Sequence, residues 1–347
     1  MYEEYVPKHL TDPLWQRLAH SKIFITGGTG LFGHWILDSL SDANRRLNLE
    51  IEATVLTRNP EKAIVKMPGL DHRIKFIQGQ VENFDLPSEK FDFIFHMATT
   101  SAQETFDGVD QSQKLTMLFN GTQRVLELAQ KSIAKRLLFT SSGAVYGNQN
   151  CDLINESTLM QIDPLSATSS LAIGKSVAEY LLHQEFNKSK LEVVIARCFS
   201  FVGPGIPLNL HYALGNFIKN VTECSPILIQ SDGLAMRSYM YLGDLVWWLL
   251  TLLLDGRAGE AYNVGSDEGV SVFELAQRVK KIYGSEEEVV IKGDVRYSVG
   301  VPAREIYIPC INKAKTDCSL RITSDLNLSL EKMHQFMMEK SHVSNVK

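Results

Sequence analysis

Short apolar runs rich in β-branched and aromatic residues recur along the first two thirds of the chain, each followed by a polar or glycine-bearing break. The run that opens KIFITGGTGLFG, Lys22 to Gly33, predicts a strand, a tight turn and then a helix over roughly 34–41. Further runs predict strands at 53–56, 75–77, 91–95, 136–140 and 193–197, with helical spacing between most of them, for example at about 113–131. Strands alternating with helices imply right-handed crossovers and a parallel sheet covered on both faces. Beyond about Pro204 the alternation fails, and helices at 212–221 and 245–254 mix with short strands near 227–229. The division this implies is an N-terminal extension at 1–20 carrying a short helix at 12–20, a main α/β unit at 21–203, a smaller lobe at 204–330 and a tail at 331–347. The tail after about Leu328 ends in the polar SHVSNVK, which is expected to fray.

LVWWLLTLLL at 245–254 is the most apolar stretch, but Asp244 and Asp255 bound it. A membrane-spanning helix needs about 20 apolar residues, so the pattern reads as a buried helix. With 347 residues, 44% of them hydrophobic, the chain can bury one large core or two unequal ones. A net charge of -5 with scattered basic residues argues against a nucleic-acid partner. The five cysteines, Cys151, Cys198, Cys224, Cys310 and Cys318, form no C-x-x-C pair. They read as free thiols in a reducing compartment, with no metal site. MYEEYVPKHL lacks the apolar core of a secretory signal, and the expectation is a cytoplasmic protein.

The glycines of the first turn carry the candidate chemistry. Gly28, Gly30 and Gly33 satisfy G-x-G-x-x-G, and Gly27, Gly30 and Gly33 the looser G-x-x-G-x-x-G. Such spacing lets the backbone turn sharply, lets a pyrophosphate approach the main chain and lets helix pack on strand, with the N–H groups around Leu31, Phe32 and Gly33 facing the phosphates. The fold class is therefore α/β, a Rossmann-type doubly wound parallel sheet with a smaller C-terminal substrate lobe. After the second strand, Thr57 and Arg58 stand where a carboxylate would hold the ribose diol of NAD. That favours a 2′-phosphate and hence NADP, unless Arg58 is only a solvated loop residue, and NAD or NADP stays open. Gln80 and Val81 are placed to flank an adenine. In HMATTS, Met97, Ala98 and Thr99 allow close passage of the dinucleotide, whereas His96 reads as a structural histidine. TSSGAVYG at 140–147 offers hydroxyls at a strand end.

TGGTGLFG, HMAT, SSGAVYG, GKSVAEYLL, RCFSFVGPG and AYNVGS, in this order, resemble the extended short-chain dehydrogenase/reductase family and its nucleotide-sugar epimerases, dehydratases and decarboxylases. The resemblance covers roughly residues 20–325. It implies that Ser142 hydrogen-bonds the sugar, that Lys175 holds the nicotinamide ribose and lowers the pKa of a catalytic tyrosine, and that this tyrosine position is Leu171. Leucine moves no proton. Gly143 and Ala144 stand where 4,6-dehydratases carry Asp-Glu, which disfavours that chemistry and the related decarboxylases. Leu118 stands where relatives usually have asparagine. In the second lobe the resemblance puts Arg237, of MRSYMYLGDL, and Arg304, of VPAREIYI, on a nucleotide diphosphate, with Ser200 and Asn216 also facing substrate. It further implies a homodimer through the helix carrying Lys175 and the one at 113–131, where Leu115, Leu118, Val125, Leu126 and Leu128 supply apolar surface. Two functions follow: an NAD(P)-dependent nucleotide-sugar epimerase or 4-keto oxidoreductase, or a binding-only pseudoenzyme.

Overall fold

The computed structural model describes residues 1–100, 104, 108, 110–149, 151–210, 212–294, 297–298, 301–302 and 305–344. Its main layer is a parallel sheet of β1 (Lys22–Thr26), β2 (Glu52–Thr57), β3 (Ile74–Gln78), β4 (Phe93–His96), β5 (Arg136–Ser142), β6 (Glu192–Cys198) and β7 (Ala261–Val264). They lie in the order β7-β6-β5-β4-β1-β2-β3. The strand order reverses between β1 and β4, which opens a crevice at their carboxyl ends. There Thr26 of β1 is in register with His96 of β4.

Both faces of the sheet are covered, so its central strands are continuous apolar runs and not alternating ones. On one face α1 (Lys8–Arg17), α2 (Leu31–Leu47) and α7 (Leu242–Asp255) bury Trp15, Trp35, Leu37, Leu249 and Leu253. On the other, α4 (Gln111–Ser132) and α5 (Ser170–Lys188) bury Val125, Leu128, Ala178 and Leu182. The short α3 (Pro60–Lys66) follows β2, its start capped by the Asn59 side chain. Every residue from Leu242 to Leu253 is buried, as the apolar run there implies. Asp244, the buried charged residue in that helix, accepts the N–H groups of Thr323 (2.8 Å) and Ser324 (3.2 Å). No helix among the described residues is long and apolar enough to cross a membrane.

The smaller lobe has its own core of Phe217, Ile218, Leu275, Val279, Leu330 and Met333. These come from α6 (Ala213–Thr222), α8 (Val272–Ile282) and α10 (Leu326–Ser344). Within 204–330, α7 and β7 return to the main layer and α9 (Asn312–Cys318) packs beside β7. The tail is the helix α10, which runs through the first four residues of SHVSNVK, the last three lying outside the described residues. Leu330, Met333 and Phe336 form a narrow apolar stripe at i, i+3 and i+6, sufficient to dock an otherwise polar segment. The extension docks as well. The Tyr2 ring stacks on Trp35 of α2 with centroids 4.8 Å apart and lies 5.7 Å from Phe336 of α10.

Candidate active site

The glycine turn joins β1 to α2 at the crevice. Gly27 has φ 72°, and a Cβ on it would stand 2.6 Å from the carbonyl carbon of Met97, so the ends of β1 and β4 meet main chain to main chain. A Cβ on Gly33 would stand 2.3 Å from Cα of Gly28, and one on Gly28 would stand 2.5 Å from Val55 Cγ1. These contacts let α2 sit against the sheet. Gly30, just before α2, faces only the Gly27 carbonyl oxygen at 3.2 Å. The first N–H groups of α2, at Leu31, Phe32 and Gly33, have no partner within the helix and point at this cradle. The residues present thus fit a dinucleotide pyrophosphate.

Thr26 organises the far wall. Its hydroxyl accepts the N–H groups of Met97 (3.2 Å) and Ala98 (3.1 Å) and bonds Nδ1 of His96 at 2.8 Å. Nε2 of His96 reaches the Thr122 hydroxyl at 3.2 Å. Burial, with Lys175 nearby, pushes the His96 pKa down to about 3. His96 is therefore a neutral structural residue, as its place after an apolar run suggests. Thr99 is exposed at the rim. Thr57 is buried and its carbonyl accepts the Gly79 N–H at 3.0 Å, while Arg58 is exposed and paired with Glu104. Gln80 is exposed, and Val81 packs against Gly121 of α4.

On α5, Leu171, Lys175 and Glu179 follow one another at i, i+4 and i+8, on one face. Leu171 is half-buried. Lys175 is buried, donates to the Thr140 carbonyl at 2.6 Å and lies 4.5 Å over the Phe139 ring. Burial brings its pKa down to about 8, against the opposing pull of Cys198 and Glu179. Glu179 forms a buried ion pair with Arg197 at 2.7 Å, and Arg197 donates to the Tyr146 hydroxyl at 2.9 Å. Tyr146 in turn donates to Asn263 of β7 at 2.8 Å. This chain of bonds ties the base of α5 to β6 and β7.

Ser142 ends β5, and its hydroxyl accepts the Ala144 N–H at 3.1 Å. The Tyr307 phenol comes in beside this strand end, over Gly143. A Cβ on Gly143 would stand 2.6 Å from the Tyr307 hydroxyl oxygen, so glycine there is what admits the phenol. Tyr307 packs on Phe199 with centroids 4.6 Å apart, and the Arg237 guanidinium lies 5.9 Å from its ring. The short strands Met236–Arg237 and Ile306–Tyr307 pair in parallel, which brings the two residues side by side. Arg237 is held by Glu305 at 2.7 Å. Arg304 lies outside the described residues. Ser200 enters through its carbonyl, which accepts the Met240 N–H at 3.0 Å, and Asn216 is half-buried on α6. No described contact joins either side chain to the Ser142–Tyr307–Arg237 cluster.

Two features escaped the sequence. Tyr307 lies three positions beyond Arg304 in VPAREIYI. Its approach to Ser142 depends on a strand pairing that no local pattern marks. The Glu179–Arg197 pair would have shown only as a charged residue on an apolar helix face and another within an apolar strand. The expected dimer surface also needs correction. Leu118, Val125, Leu126 and Leu128 are buried within the protomer, and Leu118 packs against Gly174 of α5, leaving Leu115 half-buried.

Residues 23–265 match the model of the NAD dependent epimerase/dehydratase family. UDP-glucuronic acid decarboxylase 1 of Xenopus tropicalis is 26% identical over 329 residues, covering 93% of this chain and 74% of that protein. Among solved structures, UDP-glucose 4-epimerase from Thermotoga maritima with UDP-glucose superposes with a TM-score of 0.76 at 21% identity, covering 92% of this chain and 99% of that one. UDP-glucuronic acid 4-epimerase from Bacillus cereus in complex with NAD gives 0.74 at 23% identity, with coverage of 92% and 99%. At these identities the structures establish the fold.

Proposed function

The chain belongs to the NAD dependent epimerase/dehydratase family, and from that premise we propose that it is a nucleotide-sugar epimerase or 4-keto oxidoreductase with Leu171 at the position of the usual catalytic tyrosine. One observation carries the reading: Lys175, buried and tethered to Thr140, stands beside the strand end that presents Ser142. A lysine kept in such a place, with its charge desolvated, has no packing role that an apolar residue would not fill better. The glycine turn would hold the cofactor pyrophosphate, with Leu31 and Phe32 at its helix end, and Lys175 would hold the nicotinamide ribose. When bound, the nicotinamide supplies hydride exchange. Ser142 would bond the sugar, and Arg237, released from Glu305, would take a phosphate of the nucleotide in a bidentate grip.

The finer parts of this proposal are the cofactor, the assembly and the compartment. Arg58 would have to leave Glu104 to grip a 2′-phosphate, and we favour NADP on that arginine and on the lack of a carboxylate at Thr57. We also favour a homodimer through the outward faces of α4 and α5, in a cytoplasmic setting that keeps the five thiols free. A second reading rests on Leu171 itself: a pseudoenzyme that binds cofactor and nucleotide sugar without turnover. Calorimetric titration with NAD, NADP, UDP-glucose and UDP-glucuronic acid tests the common core, and absorbance of reduced nicotinamide after adding each sugar separates the two readings. Binding of neither a dinucleotide nor a UDP-sugar would refute both. Light scattering decides the dimer.

A further inference from the structure

With leucine at position 171, helix α5 carries no acid or base one turn before Lys175, where the family resemblance puts the catalytic tyrosine. The second lobe supplies a group. The Tyr307 hydroxyl reaches the carboxyl ends of β5 and β6, next to Ser142, and occupies the space that the missing side chain of Gly143 leaves open. Its ring is clamped between Phe199 and the Arg237 guanidinium. Leucine at 171 leaves the helix without a proton carrier at that position, and glycine at 143 leaves room for a phenol from across the crevice.

We propose that Tyr307, acting with Ser142, is the proton donor of this site when a nucleotide-bound keto-sugar is reduced. The inference rests on the function proposed above and adds to it the acid. Burial raises the Tyr307 pKa above that of an ordinary tyrosine, while Ser142 and Arg237 pull against it. The group is consequently a phenol at neutral pH, suited to giving a proton and unsuited to taking one. In the step, the O–H bond of Tyr307 breaks and an O–H bond forms on the former carbonyl oxygen. The electron pair stays on the phenolate oxygen, which the Ser142 hydroxyl and the Arg237 charge stabilise until solvent returns a proton. The carbonyl carbon is reduced by the hydride that bound NADH or NADPH provides.

Tyr307→Phe tests this, since it keeps the ring and removes only the hydroxyl. Three measurements on the full-length chain go together: alkaline difference absorbance of the phenol in the free protein, calorimetry with NAD(P)H and with UDP-glucuronic acid, and single-turnover reduction of a UDP-4-keto-sugar. Subtracting the variant from the natural protein should reveal one phenol that ionises above the usual tyrosine range. The variant should bind NAD(P)H like the natural protein but reduce the keto-sugar about 10²–10⁴-fold more slowly. A natural protein that binds neither class of ligand refutes the function and not this residue. A natural protein that binds both yet does not reduce the keto-sugar, a variant that reduces it at the natural rate, or a Tyr307 phenol ionising below the usual range each overturns the assignment.

Discussion

Replacing Lys175 by methionine should change the pH dependence of stability in a calculable way. The pKa of Lys175 is about 8 in the folded chain against 10.5 for an ordinary lysine, because burial penalises the charge. That gap corresponds to roughly 3 kcal/mol of destabilisation whenever the folded chain must carry the proton. The sign follows from proton counting. Below the folded value both states are protonated and the penalty is complete. As pH rises from about 8 towards 10.5 the unfolded chain still binds the proton that the folded chain has released, so stability climbs. Lys175→Met keeps the length of the side chain and removes the titration. Burial moves the pKa values of His96 and Cys198 to about 3 and about 12, and Lys175 lowers both, but the two groups stay neutral in the folded chain between pH 7 and pH 10, so the other titrations cancel in the difference over that range. Between pH 7 and pH 10 the natural protein should therefore gain roughly 2–3 kcal/mol on the variant in urea unfolding. At pH 7 the two should be close, since the relief of the buried charge is offset by loss of the bond to Thr140 and the contact with Phe139, together about 2–4 kcal/mol. Unfolding free energies that keep a constant separation across this range would refute the claim that Lys175 is a strained, desolvated lysine.

Gly33→Ala puts a methyl group against Gly28 Cα and should cost about 1–3 kcal/mol in urea unfolding while weakening dinucleotide binding in calorimetry; unchanged values for both would show that α2 can retreat freely. Glu179→Gln removes the carboxylate from buried Arg197 and should destabilise by about 3–5 kcal/mol, with a loss under about 1 kcal/mol counting against a desolvated pair. Leu171→Tyr places a phenol one turn from Lys175 and should accelerate oxidation of a suitable nucleotide sugar by NAD(P), the direction in which Tyr307 is a poor base, by about 10²–10⁴-fold in single-turnover assays. No acceleration, with binding intact, would mean that position 171 does not face the reacting oxygen.

The strands that lie wholly inside the main layer were legible because each is an unbroken apolar run, and the runs at 53–56, 136–140 and 193–197 fall within β2, β5 and β6. β7 was not, because AYNV carries Asn263 at its centre. That asparagine is buried only because Tyr146 and the carbonyl of Ile154 satisfy it, and both partners lie more than a hundred positions earlier. The docked helix α10 hid behind a polar composition for a similar reason: three apolar anchors are weak in a sequence window and strong against a waiting core. In the site, Gly27, Gly28, Gly30 and Gly33 could be read locally because one short turn contains the whole cradle. Tyr307 could not, since its place is set by a two-residue pairing between distant segments.

The contact of Tyr2 with Trp35 and Phe336 has a consequence for how the chain is made. The same seam is crossed by the bond from the Tyr5 hydroxyl to Glu339, 334 positions away. At 5–20 residues per second a ribosome needs roughly 15–70 s to span that interval. Throughout it the nascent chain holds an aromatic pair at one end with its cover still unsynthesised. Chaperones that grip exposed aromatics have their opportunity then, and the back of helix α2 is sealed only after α10 has been made.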